Sequence, residues 1–297
     1  MKIGLLTVGL GAGCRPGAIR ALAQECDAIG FGTLWAPEHV VLFDRYSESK
    51  YPYSEDGAFA APSTIDWMDP FIALTYAAAN SSTIRLATGI CLVPEHNPLV
   101  LAKQIASLDL LSGGRFALGV GIGWSSEEFA ALGVPFERRA RRTREYIDVM
   151  RKLWSEDMTS FAGEFVRFNN VRSFPKPAQR GNIPIIFGGE SNPALRRVAE
   201  YGNGWFGFNL NPAQAAEKID RLSVLLRERG RKLDDIEIIV SPYTQRVTRD
   251  DLARYAEAGV SEVVMLFNVP DADAEIKGQV DLFAHEYVLQ AARLGPR

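Results

Sequence analysis

The sequence has few of the residues that serve as metal ligands or redox centres. Its 297 residues include only three histidines and three cysteines, and Cys14, Cys26 and Cys91 fit no zinc or redox motif. No apolar run approaches the roughly 20 residues that a membrane-spanning helix needs. A net charge of −3 favours neither nucleic acid nor a membrane surface as a partner. The apolar N-terminus resembles a signal peptide, but residues 3–8 also fit a first strand, which we favour, and we expect a cytoplasmic protein.

Strand and helix patterns alternate along the whole chain. Each of eight predicted strands is followed by a helical pattern, and the strands cover residues 3–8, 33–38, 84–93, 115–123, 183–189, 204–208, 236–242 and 261–267. Eight such repeats in about 300 residues predict a single (β/α)8 TIM barrel over residues 1–297. A doubly wound open sheet is the alternative, although no G-x-G-x-x-G motif follows the first strand.

Two long segments interrupt this alternation. Residues 42–68 form a polar and aromatic loop after the second strand, and residues 157–182 read as a small hairpin with a proline-rich connection before the fifth strand. Loops of this length in a compact domain are usually functional or mobile. The first loop leaves the C-terminal, catalytic end of the barrel, so we expect it to close over a ligand.

The tripeptide Pro-Glu-His occurs twice, at residues 37–39 and 94–96, after the second and third predicted strands. Adjacent Glu and His side chains in extended chain point to opposite sides, and the spacing of a helical zinc motif is absent. The sequence therefore predicts no metal site, and favours a neutral histidine acting as an acid, a base or a hydrogen-bond donor. His285 lies in the last predicted helix, where we expect a structural role.

Glycine-rich strand ends suggest room for a ligand. At the end of the fifth strand, Gly188 and Gly189 precede Ser191, which we predict to cap the next helix. Such a turn can bind phosphate, and the alternative is that its glycines only allow tight packing. Glu190 argues against phosphate unless it points to solvent. The fourth strand ends in GVGIGW, residues 119–124, which leaves space for a flat ligand beside Trp124 or is simply crowded by neighbours. Gly89, within an apolar strand, suggests a bulge.

Several motifs together resemble the bacterial luciferase-like monooxygenase superfamily, most closely its branch of oxidoreductases that use coenzyme F420. They are LWAPEHV, ATGICLVPEHNPLVLAKQIASLDLLSGGRFALGVGIGW, FAGEFVRFNNVRSFPKPAQ and PIIFGGESNPALRRVAEYGNGWF. The resemblance implies a flavin or deazaflavin at the C-terminal mouth, and a non-prolyl cis peptide near Gly89-Ile90. It also implies His39 beside the reactive ring carbon and cofactor contacts from Thr88, Gly89, Ile90, Gly121, Gly123, Trp124, Gly188, Gly189 and Ser191.

The activity implied is hydride transfer between F420 and a small organic substrate. His39 would donate or accept a proton, oriented by Glu38 or Glu95, while Trp35, Trp67 and His96 would line an apolar substrate pocket. The alternative is an FMNH2-dependent monooxygenase that receives reduced cofactor from a separate reductase and uses O2. A cofactor-less binding relative and a metal-dependent hydrolase are weaker alternatives, and a homodimer is expected by analogy.

Two positions depart from the family pattern. Asn203 replaces the acidic residue usual before Gly-Trp at the sixth strand, and Trp124 stands where some F420 enzymes carry a proton-transferring glutamate. Because tryptophan cannot transfer that proton, the resemblance does not extend to a sugar-phosphate dehydrogenase activity.

Overall fold

A computed structural model describes residues 1–294 and contains a closed barrel of parallel strands. The barrel strands are β1 (Lys2–Leu6), β2 (Thr33–Ala36), β3 (Arg85–Thr88), β4 (Cys91–Leu92), β5 (Phe116–Gly121), β8 (Ile185–Gly188), β9 (Gly204–Phe208), β10 (Glu237–Tyr243) and β11 (Glu262–Met265). Their order is β3-β2-β1-β11-β10-β9-β8-β5-β4, and pairing of β3 with β5 closes the circle. The predicted TIM barrel is confirmed, with its third strand split into β3 and β4.

Helices surround the barrel. They are α1 (Pro16–Ile29), α2 (Pro70–Ala79), α3 (Pro98–Leu111), α4 (Ser126–Ala131), α5 (Arg139–Ser155), α6 (Asn192–Tyr201), α7 (Pro212–Arg227), α8 (Arg249–Glu257), α9 (Asp273–Phe283) and α10 (Leu289–Ala292). A π-helical turn joins α9 to α10 within the last predicted helix, whose final residue, 295, lies outside the described residues. None of the described helices is long and apolar enough to span a membrane.

The barrel interior is filled by one apolar side chain from each of eight strands. This layer consists of Leu6, Trp35, Ala87, Ala117, Ile186, Phe206, Ile239 and Val264. The prediction that Trp35 lines a substrate pocket is wrong, because its exposure is 0%. Its ring packs 4.9 Å from that of Phe206, and its indole N–H points to Glu262. Inward-facing large side chains pack the barrel as a core.

The two predicted insertions are present. Strands β6 (Thr159–Ala162) and β7 (Arg167–Val171) pair as an antiparallel hairpin. The carboxylate of Glu145 on α5 accepts hydrogen bonds from the backbone N–H groups of residues 164–166, and so attaches the hairpin turn to the barrel. The segment between β2 and α2 has no helix or strand of its own apart from a single bridge between Trp67 and Leu10.

Candidate functional site

A bulge with a cis peptide bond at Gly89-Ile90 separates β3 from β4, at the position that the sequence predicted. The Gly89 N–H donates to the Ala36 carbonyl at 2.7 Å, and the Thr88 hydroxyl donates to the Gly119 carbonyl at 2.8 Å. Hydrogen bonds to both flanking strands therefore fix the bulge. Thr88 is fully buried, so its side chain supports the bulge from within the barrel wall.

Glycines at neighbouring strand ends make room for the Ile90 side chain. A Cβ atom added at Gly121 would lie 2.7 Å from Ile90 Cδ1, and one added at Gly188 would lie 2.5 Å from the same atom. At Gly119 an added Cβ would lie 1.9 Å from the Thr88 carbonyl oxygen. The packing alternative for these glycines is therefore supported, because the space they leave is taken by the bulge.

His39 is held by Glu128, a residue that the sequence did not pair with it. Glu128 Oε2 lies 2.8 Å from His39 Nδ1, and the other carboxylate oxygen accepts from the Val40 N–H at 2.7 Å. Ser125 Oγ accepts the Glu128 N–H at 3.1 Å and caps α4. The Glu128 carboxylate, however, turns to His39 instead of completing the cap. Neither Glu38 nor Glu95 makes this contact, so that prediction is wrong.

Glu38 forms a second buried pair, with His96. The carboxylate lies 3.0 Å from His96 Nε2 and also accepts the Leu92 N–H. Burial raises the pKa of Glu38, but the His96 charge and these hydrogen bonds outweigh it and lower the pKa overall. Burial lowers the pKa of the His96 ring, but the charge and the hydrogen bond of Glu38, together with the Asp69 charge, outweigh it and raise the pKa overall. Glu38 and His39 thus point to opposite sides, as predicted, and Glu38 serves His96.

The Cys91 thiol joins this second pair. One ligand atom each from Glu38, Cys91 and His96 lies within 4.8 Å of the others, a grouping that the linear spacing did not indicate. Burial, reinforced by the Glu38 charge, raises the pKa of the Cys91 thiol. A neutral thiol beside a hydrogen-bonded carboxylate accounts for the cluster without a metal ion. The expectation that no metal binds here stays a prediction.

Aromatic side chains enclose His39. The rings of Trp67, Phe59 and Trp124 lie 5.0, 5.2 and 6.1 Å from the imidazole, all in edge-on arrangements. Tyr46 and Tyr51, from the loop of residues 42–68, pack on Trp124 at 4.9 and 5.2 Å. We call the rings of Tyr46, Tyr51, Phe59, Trp67 and Trp124 the aromatic cage.

Polar contacts fasten the loop of residues 42–68 across the barrel mouth. Glu127 on α4 accepts the backbone N–H groups of Glu48 and Ser49, at 2.9 and 3.2 Å. At the opposite side, the Tyr53 hydroxyl donates to Glu190 at 2.9 Å, and its ring packs 4.9 Å from that of Phe208. The loop therefore spans from the end of β5 to the ends of β8 and β9.

The turn after β8 combines a left-handed glycine with a capped helix start. Gly189 has a φ of 105°, a conformation that favours glycine, and Ser191 Oγ caps α6 by accepting the Ala194 N–H at 3.3 Å. The Glu190 side chain does not point to solvent, so the condition under which it would be compatible with phosphate is not met. It accepts hydrogen bonds from Tyr53 and from the Phe208 N–H at 2.8 Å, and burial raises its pKa.

Two arginines that the sequence did not single out lie on α5 and α6, the helices before and after β8. Arg139 donates from Nε to the Gly123 carbonyl at 3.2 Å, and Arg197 projects from α6. Arg197 Nε is buried without a hydrogen-bond partner in residues 1–294, and burial together with the Arg139 charge lowers its pKa. The unpartnered Arg197 Nε leaves this donor free for a bound anion. Arginines are common in helices, so no pattern in the sequence indicates this pair.

Comparison with known proteins identifies the family. The family model for luciferase-like monooxygenases matches residues 3–274. The chain belongs to the luciferase-like monooxygenase family. It is 36% identical to the Mycobacterium tuberculosis protein Rv0953c over 276 residues, 93% of this chain and 94% of that one. It is also 29% identical to the FMNH2-dependent dimethylsulfone monooxygenase of Pseudomonas fluorescens over 70% of this chain and 58% of that one.

A solved structure of an F420-dependent secondary alcohol dehydrogenase, in complex with an F420-acetone adduct, shares the fold. The TM-score is 0.76 at 17% identity, with 98% of each chain covered. At this identity the likeness concerns the fold. Membership of this family makes the chain a luciferase-like oxidoreductase or monooxygenase.

Proposed function

We propose that this luciferase-like protein uses coenzyme F420 for hydride transfer with a small organic substrate. The observation that carries the proposal is His39, which lies at the barrel mouth, is oriented by Glu128 and is enclosed by the aromatic cage. Such a histidine can move a proton while the cofactor moves a hydride. The F420-dependent alcohol dehydrogenase among its structural neighbours supports this choice of cofactor.

Three groups of residues would hold the cofactor. The bulge at Gly89 and Ile90, supported from within the barrel wall by the buried Thr88, would carry the ring, with Gly121, Gly123 and Trp124 along one edge. The turn formed by Gly188, Gly189 and Ser191 would bind the phosphate, and the unpartnered Arg197 with Arg139 fits the charge of that group. When bound, the deazaflavin ring would supply hydride chemistry, and the protein would supply position and protons.

His39 would transfer the proton through Nε2. Because Glu128 lies against Nδ1, the neutral ring carries its proton there and leaves the Nε2 lone pair free. Glu38 would act only as a support, since its carboxylate is engaged by His96 and the Leu92 N–H. The aromatic cage, which includes Trp67, would favour an apolar or aromatic substrate, and His96 would border the pocket wall.

The second candidate is an FMNH2-dependent monooxygenase supplied by a separate reductase. The relative that favours it is the FMNH2-dependent dimethylsulfone monooxygenase, at 29% identity. In this case the loop of residues 42–68 would act as a lid that excludes water from a reactive cofactor. Its contacts with Glu127 and Glu190 fit such a lid.

Cofactor binding tests the proposal. Purified protein is titrated with F420 and, separately, with FMN, and binding is followed by fluorescence quenching. Tight binding of F420 with weak binding of FMN supports the proposal, the reverse supports the monooxygenase, and binding of neither contradicts both. His39→Ala should bind the cofactor but lose turnover, whereas His285→Ala, at an exposed histidine of the last helical region, should behave like the parent protein.

We also propose a homodimer formed through α2 and α3. Both helices are apolar around most of their circumference, yet one face of each is exposed. Ile72, Val100 and Leu111 are 66%, 57% and 69% exposed. Light scattering should show a dimer for the parent protein and a monomer for Val100→Lys. Val224→Lys, on α7, is the matched control and should remain dimeric.

A further inference from the structure

A third buried carboxyl group, that of Glu95, lies beside the two Glu–His pairs and has no partner. Glu95 ends the short 3-10 turn Val93–Glu95 that follows β4, and only 9% of the residue is exposed. Both side-chain oxygens are enclosed, and neither has a hydrogen-bond partner within residues 1–294. Buried polar groups are nearly always hydrogen-bonded, so this exception needs a physical explanation.

The surrounding charges decide the protonation state of Glu95. Glu128 faces it from α4 and Glu38 from the segment after β2, and each of them already has a histidine as its partner. The neutral Cys91 thiol adds no positive charge. Burial and then the charges of Glu128 and Glu38 raise the pKa of Glu95 to about 9. At neutral pH Glu95 is therefore an uncharged acid.

Glu95 also lies directly beneath the end of β5. A Cβ atom added at Gly123 would be 3.0 Å from Glu95 Oε1, so the acid is in contact range of that backbone. The Gly123 carbonyl accepts a hydrogen bond from Arg139. Glu95 is therefore enclosed between a segment proposed to contact the cofactor and the carboxylate that holds His39.

We propose that Glu95 is a positioning residue that acts on His39 through Glu128. As the neutral acid, Glu95 leaves the Glu128 carboxylate bound to His39 Nδ1. When ionised, it would be a third carboxylate in a nearly dry region, and its charge would repel the Glu128 carboxylate and disturb the 2.8 Å contact with His39 Nδ1. This inference rests on the proposed role of His39 in proton transfer.

Nitrogen NMR of the histidine rings tests this inference without cofactor. The chain has only three histidines, so variants in which each histidine is replaced in turn assign every ring signal. The ring nitrogen shifts are recorded from pH 6 to pH 10.5 for the parent protein and for Glu95→Gln, with exposed His285 as the internal control. Glu95→Met, of similar size and without an ionisable group, provides the same comparison where Glu95→Gln does not fold.

The expected result is an inflection near pH 9 in the His39 signals of the parent protein, which is absent from the variant. The His285 signals should coincide in the two proteins throughout the pH series. An inflection that persists in the variant, or that the parent lacks, overturns the inference. Because no cofactor is present, this result is independent of whether F420 or FMN binds, so a failure of the proposed function is detected separately.

Discussion

Replacing Gly119 by alanine tests whether the strand-end glycines exist to accommodate the bulge. The new Cβ would lie 1.9 Å from the Thr88 carbonyl oxygen and 3.1 Å from Ile90 Cγ2. The first of these is a backbone atom, fixed by the pairing of β3 with β5, so it cannot rotate away. Overpacking a core usually costs about 1–3 kcal/mol, and a backbone clash places this variant at or above about 3 kcal/mol.

Thermal unfolding measures this effect. A loss of about 3 kcal/mol corresponds to a fall in Tm on the order of 5–10 °C for a domain of this size. Gly278→Ala is the matched control, because nothing lies within 4 Å of its added Cβ and the residue is inside α9. That control should gain about 0.5–1 kcal/mol from helix propensity. A Gly119→Ala protein that unfolds at the parent temperature would refute the reasoning.

Three further predictions concern the buried charges. Glu128→Gln should lower turnover on the order of 100-fold or more, because a carboxamide no longer fixes the Nδ1–H tautomer of His39. The cofactor affinity should be unchanged. Separate measurements of kcat and of the cofactor Kd check this. His96→Ala should lose about 3–5 kcal/mol of unfolding free energy in urea at pH 6, because Glu38 is left buried without its partner. Since the pKa of His96 is raised, the ring stabilises the fold fully below its ordinary pKa, and this stabilisation disappears as the pH rises through the raised pKa. The difference in unfolding free energy between variant and parent should therefore narrow at high pH. The pKa of Glu95 is raised from 4.5 to about 9, so this group should cost the parent up to about 3 kcal/mol of unfolding free energy between pH 4.5 and pH 7. Glu95→Gln should remove this loss. If the unfolding free energies of parent and variant, measured in urea, changed equally with pH, the assignment would be contradicted.

The barrel itself could be predicted because its signal is periodic. Each βα repeat leaves a local pattern of apolar residues and caps, such as Pro16 at the start of α1 and Gly30, with a φ of 91°, at its end. The bulge at Gly89-Ile90 followed from the resemblance to a family, and both insertions followed from breaks in the repeat. These features depend on neighbours in sequence or on motifs.

The contacts inside the site could not be predicted in the same way. His39 and Glu128 are 89 residues apart, and no local rule distinguishes Glu128 from Glu38 or Glu95 as the partner of the imidazole. Trp35 illustrates the opposite error. In the sequence, a tryptophan near a strand end fits a pocket wall or a core position equally well. Its direction depends on the alternation of side chains along the strand, which turns the Trp35 ring into the barrel against Phe206.

We propose that the barrel mouth of this luciferase-like protein binds a deazaflavin or flavin through the turn at Gly188–Ser191 and the Arg139–Arg197 pair. The most direct measurement is the equilibrium Kd for F420 and for FMN of the parent protein and of Arg197→Met. We predict tight F420 binding by the parent and binding weakened at least about tenfold in the variant, as expected for loss of a charge-assisted contact of about 1.5–3 kcal/mol. A parent protein that binds neither cofactor, or a variant with unchanged affinity, would contradict the account.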